Sequence, residues 1–122
     1  MEMTAHQRHF GVNEEDEPFA FLWTHDDDLD FVFSLTRPVD SDDETPIEYM
    51  VLDQAWEPVT DFNCRIDDAC IRAHVPIGLR RYTSNSDKMI VRHCCTGDAL
   101  RDLVGVLRVI FKGKTGLEVH VK

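Results

Sequence analysis

Between turns that come about every ten residues, apolar residues alternate with polar ones, which is the pattern of short antiparallel strands. Residues 3–10 read as a weak first strand. Residues 11–18, with Glu14, Glu15, Asp16 and Glu17, read as an acidic turn. Strands over 19–24 and 29–36 then flank His25, Asp26, Asp27 and Asp28, a four-residue hairpin loop built from turn-forming residues. In the second of these strands Leu29, Phe31, Phe33 and Leu35 share one face, opposed by Asp30, Val32, Ser34 and Thr36. Residues 37–46 hold Asp40, Asp42, Asp43 and Glu44 with two prolines, which predicts an exposed loop. A strand resumes over 47–53, largely apolar on both faces and therefore expected to be central in its sheet or covered on both sides. Residues 54–68 read as irregular chain packed down by Trp56 and Phe62, with a short strand near 62–66. Two further strands follow over 69–76 and 87–94.

The period then changes from 2 to 3.6. Leu100, Leu103, Val104, Leu107, Ile110 and Phe111 fall at i, i+3, i+4, i+7 spacing, with Arg101, Asp102 and Arg108 opposite. Thr96 is placed to cap this helix and Asp98 to meet its positive end, while Lys112 and Gly113 suit its end. The helix is predicted over about 97–112, and Leu117, Val119 and Val121 alternate in a short final strand. The fold class is therefore α+β. One domain spans 1–122, a largely antiparallel sheet of about six to seven strands with one amphipathic helix packed on one face.

Composition narrows this. At 122 residues, 43% hydrophobic and 30% charged, the chain suits a single globular core and excludes wholesale disorder. The longest apolar stretch, around 103–111, is broken by Gly105 and Arg108 and is far too short to cross a bilayer. The first residues contain no apolar core of a secretory signal, so a cytoplasmic location is expected. Charge changes the picture more. Residues 1–68 hold 19 Asp and Glu against Arg8, Arg37 and Arg65, a balance of −16, and residues 69–122 hold four against ten Lys and Arg, a balance of +6. The net −10 thus hides a strong dipole along the chain. An acidic surface repels nucleic acid and anionic membrane and steers a basic protein.

Two acidic groups are candidate partner contacts: Asp26, Asp27, Asp28 and Asp30 on the hairpin, and Asp42, Asp43, Glu44 and Glu48 in and beside the long loop. Calcium would need a glycine turn and a bidentate glutamate at fixed spacing, and neither is present. Solvated turns account for such acids as well as a partner does. Trp56 is a candidate apolar anchor if exposed, although a tryptophan in so small a domain more often belongs to the core. Cys64, Cys70, Cys94 and Cys95 show no C-x-x-C spacing and suit reduced, buried thiols. A metal set of His93, Cys94 and Cys95 with His74 or Cys64 would require adjacent strand residues to converge. Cys94 and Cys95 beside His93, just ahead of the helix, form the best enzymatic pattern. There is no glycine-rich phosphate loop, no G-x-S-x-G and no H-E-x-x-H. Neither a cofactor nor a metal is expected, and no catalytic residue is assigned.

Three stretches carry a resemblance. Met3 to Asp16, Asp30 to Arg37 (an apolar strand ending in a polar–Arg pair) and Asp98 to Phe111 are similar to the first strand and acidic turn, an inner strand and the C-terminal helix of an immunity family. The chain thus resembles a small immunity protein of bacterial polymorphic-toxin or contact-dependent growth inhibition systems. Residues 117–122 depart from that pattern by adding a strand after the helix. The resemblance implies a protein that binds and neutralises a cognate toxin, often a nuclease with a basic cleft, as a monomer or homodimer. An acidic secretion chaperone that binds an effector and a small cysteine-dependent enzyme are the alternatives.

Overall fold

The computed structural model describes residues 1–122. Its ten strands are β1 (Glu2–Thr4), β2 (Gln7–Asn13), β3 (Phe19–Asp26), β4 (Phe31–Pro38), β5 (Ile47–Val51), β6 (Ala55–Val59), β7 (Cys64–Asp67), β8 (Cys70–His74), β9 (Lys88–Arg92) and β10 (Leu117–His120). The helix α1 (Gly97–Ile110) lies between β9 and β10, and a 3-10 turn covers Ile77–Tyr82. The class is α+β with one main helix and a final strand, as the periodicity indicates. The strands, however, number ten and form two sheets of five. One is an antiparallel meander in chain order, β2-β3-β4-β5-β6; the other has the order β1-β9-β8-β7-β10. In the second sheet both edge strands pair parallel, β1 with β9 and β10 with β7.

The expected first strand is two strands in different sheets. The Ala5 amide donates to the carbonyl of Arg92, so the chain runs along β9, crosses at His6 and enters the meander at Gln7. The segment read as irregular contains β6, hidden because Pro58 and Glu57 interrupt its pattern. Leu29 does not extend the apolar face of β4. It sits in the turn, 53% exposed, and Asp30 follows it at φ 49°. The helix ends at Ile110, and its buried stripe is Leu100, Leu103, Val106, Leu107 and Ile110, with Val104 only half-buried. The Thr96 side chain makes no capping hydrogen bond.

The inner faces of both sheets and the helix stripe share one cluster of 26 buried residues. Through it runs an edge-to-face aromatic series, Phe33–Tyr49–Phe62–Phe111, at centroid distances of 5.4, 5.1 and 5.1 Å. Phe62, as expected, packs its segment down, whereas Trp56 is 58% exposed. Two carboxylates fasten the loops. Asp61 accepts from the amides of Phe62, Thr115 and Gly116 and the Thr115 hydroxyl, which ties the entry to β10 onto the entry to β7. Asp67 accepts from the Ala69 and Cys70 amides and pairs with Arg72. Burial alone raises the carboxyl pKa of Asp67, but these donors outweigh it and hold it at about 2. No helix is long and apolar enough to cross a membrane.

Candidate partner-binding surface

Strand parity decides which residues the meander turns outward. On β3, Ala20, Leu22, Thr24 and Asp26 are buried, while Phe19, Phe21, Trp23 and His25 are on the other face and only half-buried. The register carries that outward face across the sheet. Trp23 stands opposite His9 on β2 and Ser34 on β4, Ser34 opposite Met50 on β5, and Met50 opposite Trp56 on β6. The helix packs on β2, β3 and β4. Its neighbours there are the inward residues, since Phe19, Phe21, Trp23, Met50 and Trp56 are not among the side chains packed on the core. They form a separate outward layer. Phe19 and Phe21 lie 5.8 Å apart, Trp23 is 5.9 Å from His25 with the rings parallel within 5°, and His9 is 5.5 Å from Trp23.

At the turn between β3 and β4 the expected acidic contacts separate into two kinds. Asp26 is 4% exposed, and its oxygens accept from the amides of Thr4, Asp28 and Leu29. The Thr4 amide leads in lowering its pKa, against the opposing effect of burial. Asp26 is therefore a turn fastener that also ties β1 to the meander, and it is removed from the accessible contacts. Asp27, Asp28 and Asp30 are exposed. His25 bridges two of them, with Nδ1 2.9 Å from Asp27 and Nε2 3.0 Å from Asp30. Hydrogen bonds to Asp30 and then Asp27 raise its pKa, and only the doubly protonated ring donates to both. Gln7 is the first cause of the lowered pKa of Asp27, followed by His25.

At the opposite end of β3, Asp16, Glu17, Asp40 and Glu48 surround a cleft of about 400 Å³ between Phe19 and Pro38. Glu48 is thus placed on the surface with three acids that the sequence reading did not group with it. Asp42, Asp43 and Glu44 are exposed, but they are held toward the end of α1 and away from this cleft. The Asp42 side chain accepts from the Glu44 and Thr45 amides and the Thr45 hydroxyl, and the Asp43 carbonyl accepts from Lys114 Nζ. The Thr45 hydroxyl leads in lowering the pKa of Asp42. Arg37, 1% exposed, holds the loop from below. It donates to the carbonyls of Asp42 and Thr45 and to those of Ile110 and Lys112 at the helix end, at 2.6–3.1 Å.

The electrostatic result is lopsided. Residues 7–59 carry 15 Asp and Glu and only Arg8 and Arg37. Arg37 is buried, and Arg8 lies on the inward parity of β2, opposite Thr24, and donates to the Ala5 carbonyl. Every Arg–carboxylate ion pair, Arg72–Asp67, Arg92–Glu2 and Arg101–Asp98, lies outside the meander. Its outward face presents acids, aromatics and histidines without a lysine or arginine.

Other chemistry is poorly supported by the contacts. His6, Asp26 and Asp28 bring ligand atoms within 4.8 Å of one another. His6 Nδ1 accepts from the Asp27 amide, which leaves Nε2 as a donor toward Asp28, and Asp26 is occupied by its three amides. His93 accepts from the Cys95 amide at Nδ1 and meets the Asp67 carbonyl at Nε2, so neither nitrogen is left for a thiol. The Cys95 thiol is buried and donates to the His93 carbonyl, while Cys94 is exposed at φ 57°. Burial pushes the Cys64 thiol up to about 12, far from a nucleophile's range.

The aromatic row was within reach of the sequence. Phe19, Phe21 and Trp23 alternate with Ala20, Leu22 and Thr24, so one face is large and aromatic. Extending the parity of 20, 22 and 24 places Asp26 inward. Comparison with protein-family models, characterised proteins and solved structures finds no match to the chain.

Proposed function

We propose that the chain is an immunity-type binding protein that captures a basic toxin domain, of the nuclease kind, and neutralises it by covering it, in the bacterial cytoplasm and without catalysis of its own. The observation that supports this most is the meander's 15 carboxylates, set against no lysine and only two arginines, Arg37 buried and Arg8 half-buried on the inward parity of β2. Such a surface attracts a basic protein over a distance, raises its association rate, and repels nucleic acid that would compete for the same partner. The resemblance of residues 3–16, 30–37 and 98–111 to an immunity family supplies the toxin.

The test is co-expression with the product of the neighbouring gene. Growth arrest caused by that product alone should be relieved by this protein, and the two should purify as a complex that weakens as salt rises. Continued arrest with both proteins present in quantity would overturn the reading.

A further inference from the structure

We propose that the outward face of the meander is a docking platform for a basic protein surface, one with an apolar centre flanked on both sides by Lys or Arg. This deepens the reading above by fixing the surface and the partner's chemistry, and it does not depend on the partner being a toxin. The apolar centre is the row Phe19, Phe21 and Trp23 with Met50 and Trp56 across the sheet, a layer not packed on the core. Half-buried aromatics of this kind give up water readily and supply most of the energy of protein interfaces.

The acids at the two ends select the partner. Asp27, Asp28 and Asp30 stand beyond His25, and Asp16, Glu17, Asp40 and Glu48 stand around the cleft beside Phe19. A lysine or arginine entering that cleft would meet carboxylates and the Phe19 ring together. A second copy of this chain does not fit. With acids at both ends, a two-fold pairing of the face sets carboxylates against carboxylates. Nucleic acid is repelled for the same reason.

The full-length protein, isotope-labelled, is titrated with two synthetic amphipathic peptides of one sequence. One carries Lys and Arg around an apolar stripe, and the other carries Glu at those positions. Binding is read from backbone amide and tryptophan indole shifts. The basic peptide should move the Trp23 and Trp56 indole signals and amides of β3, β4 and β5, and the acidic peptide should not. Phe21→Thr and Trp23→Thr, which keep strand-favouring residues outside the core, should each weaken the basic peptide at least about tenfold with the melting temperature little changed.

The proposal is overturned by shifts confined to α1 or the second sheet, by unchanged affinity in both variants, by binding of neither peptide, or by concentration-dependent indole shifts without peptide, which would indicate self-pairing. The neighbouring gene's product separates the two readings. If it fails to bind while the basic peptide docks as described, the platform stands and the toxin reading falls. If it binds and moves signals elsewhere, the reverse holds.

Discussion

Arg37 and Asp67 show how single charged residues hold this protein together. Arg37 is almost fully buried and has no carboxylate partner; four backbone carbonyls receive its guanidinium, two of them at the negative end of α1. Arg37→Met removes the donors and leaves those carbonyls short of partners, at a cost of about 3 kcal/mol or more in urea unfolding. A loss below about 1 kcal/mol would mean that water replaces the guanidinium with little penalty. Asp67 acts through pH. Its pKa in the folded protein is about 2 against an ordinary 3.8, so its contribution is complete above 3.8 and is lost as pH falls toward 2. That contribution is on the order of 1–2 kcal/mol. Asp67→Asn should therefore be less stable than the parent at pH 6 and lose less stability than the parent between pH 5 and 2, measured by denaturant unfolding. Parallel pH curves for the two proteins would contradict the assignment. Neither role was visible from composition, because an arginine after an apolar strand and an aspartate in a turn look like ordinary surface residues. At Asp26, by contrast, the parity of Ala20, Leu22 and Thr24 is a residue-level signal within the sequence.

Among the elements, those governed by local periodicity were legible and those governed by distant pairing were not. The stripe from Leu100 to Ile110 fixed α1 within two residues, and the alternation of Leu117 and Val119 located β10. What the chain could not show is that β10 lies parallel to β7 and that β1 lies parallel to β9, since each pairing joins segments more than 50 residues apart. The split of residues 3–10 between two sheets has the same cause. One local expectation also failed: Thr96 occupies the N-cap, yet its hydroxyl caps nothing, and Gly97 follows at φ +58°. Thr96→Ala should therefore change thermal stability by less than about 0.5 kcal/mol, where a working cap costs about 1 kcal/mol on removal. A loss of the ordinary size would show that the hydroxyl does cap the helix in solution.

At the scale of the whole molecule, the charge dipole along the sequence becomes a division between sheets. Most of the acidic half folds into the meander, where Arg37 is buried and Arg8 half-buried on the inward parity, while all three Arg–carboxylate pairs lie in the second sheet and the helix. The sequence showed that the first half was acidic and named Asp27, Asp28, Asp30, Glu48 and Trp56, which the fold places on or around one outward face. It also named Asp26, which is buried, and Asp42, Asp43 and Glu44, which are held toward the helix end. It did not show that Phe19, Phe21 and Trp23 lie uncovered between the two groups of acids, because exposure of a sheet face depends on where the helix packs. The central claim is that these acids draw in a basic protein. The measurement that tests it most directly is the association rate of the neighbouring gene's product across a range of salt, for the parent and for two charge reversals, Asp28→Lys with Asp30→Lys and Asp40→Lys with Glu48→Lys. Each reversal is expected to slow association several-fold at low salt and to flatten its salt dependence, with little effect on dissociation. Association rates equal to the parent's in both reversals, with the same salt dependence, would contradict the claim.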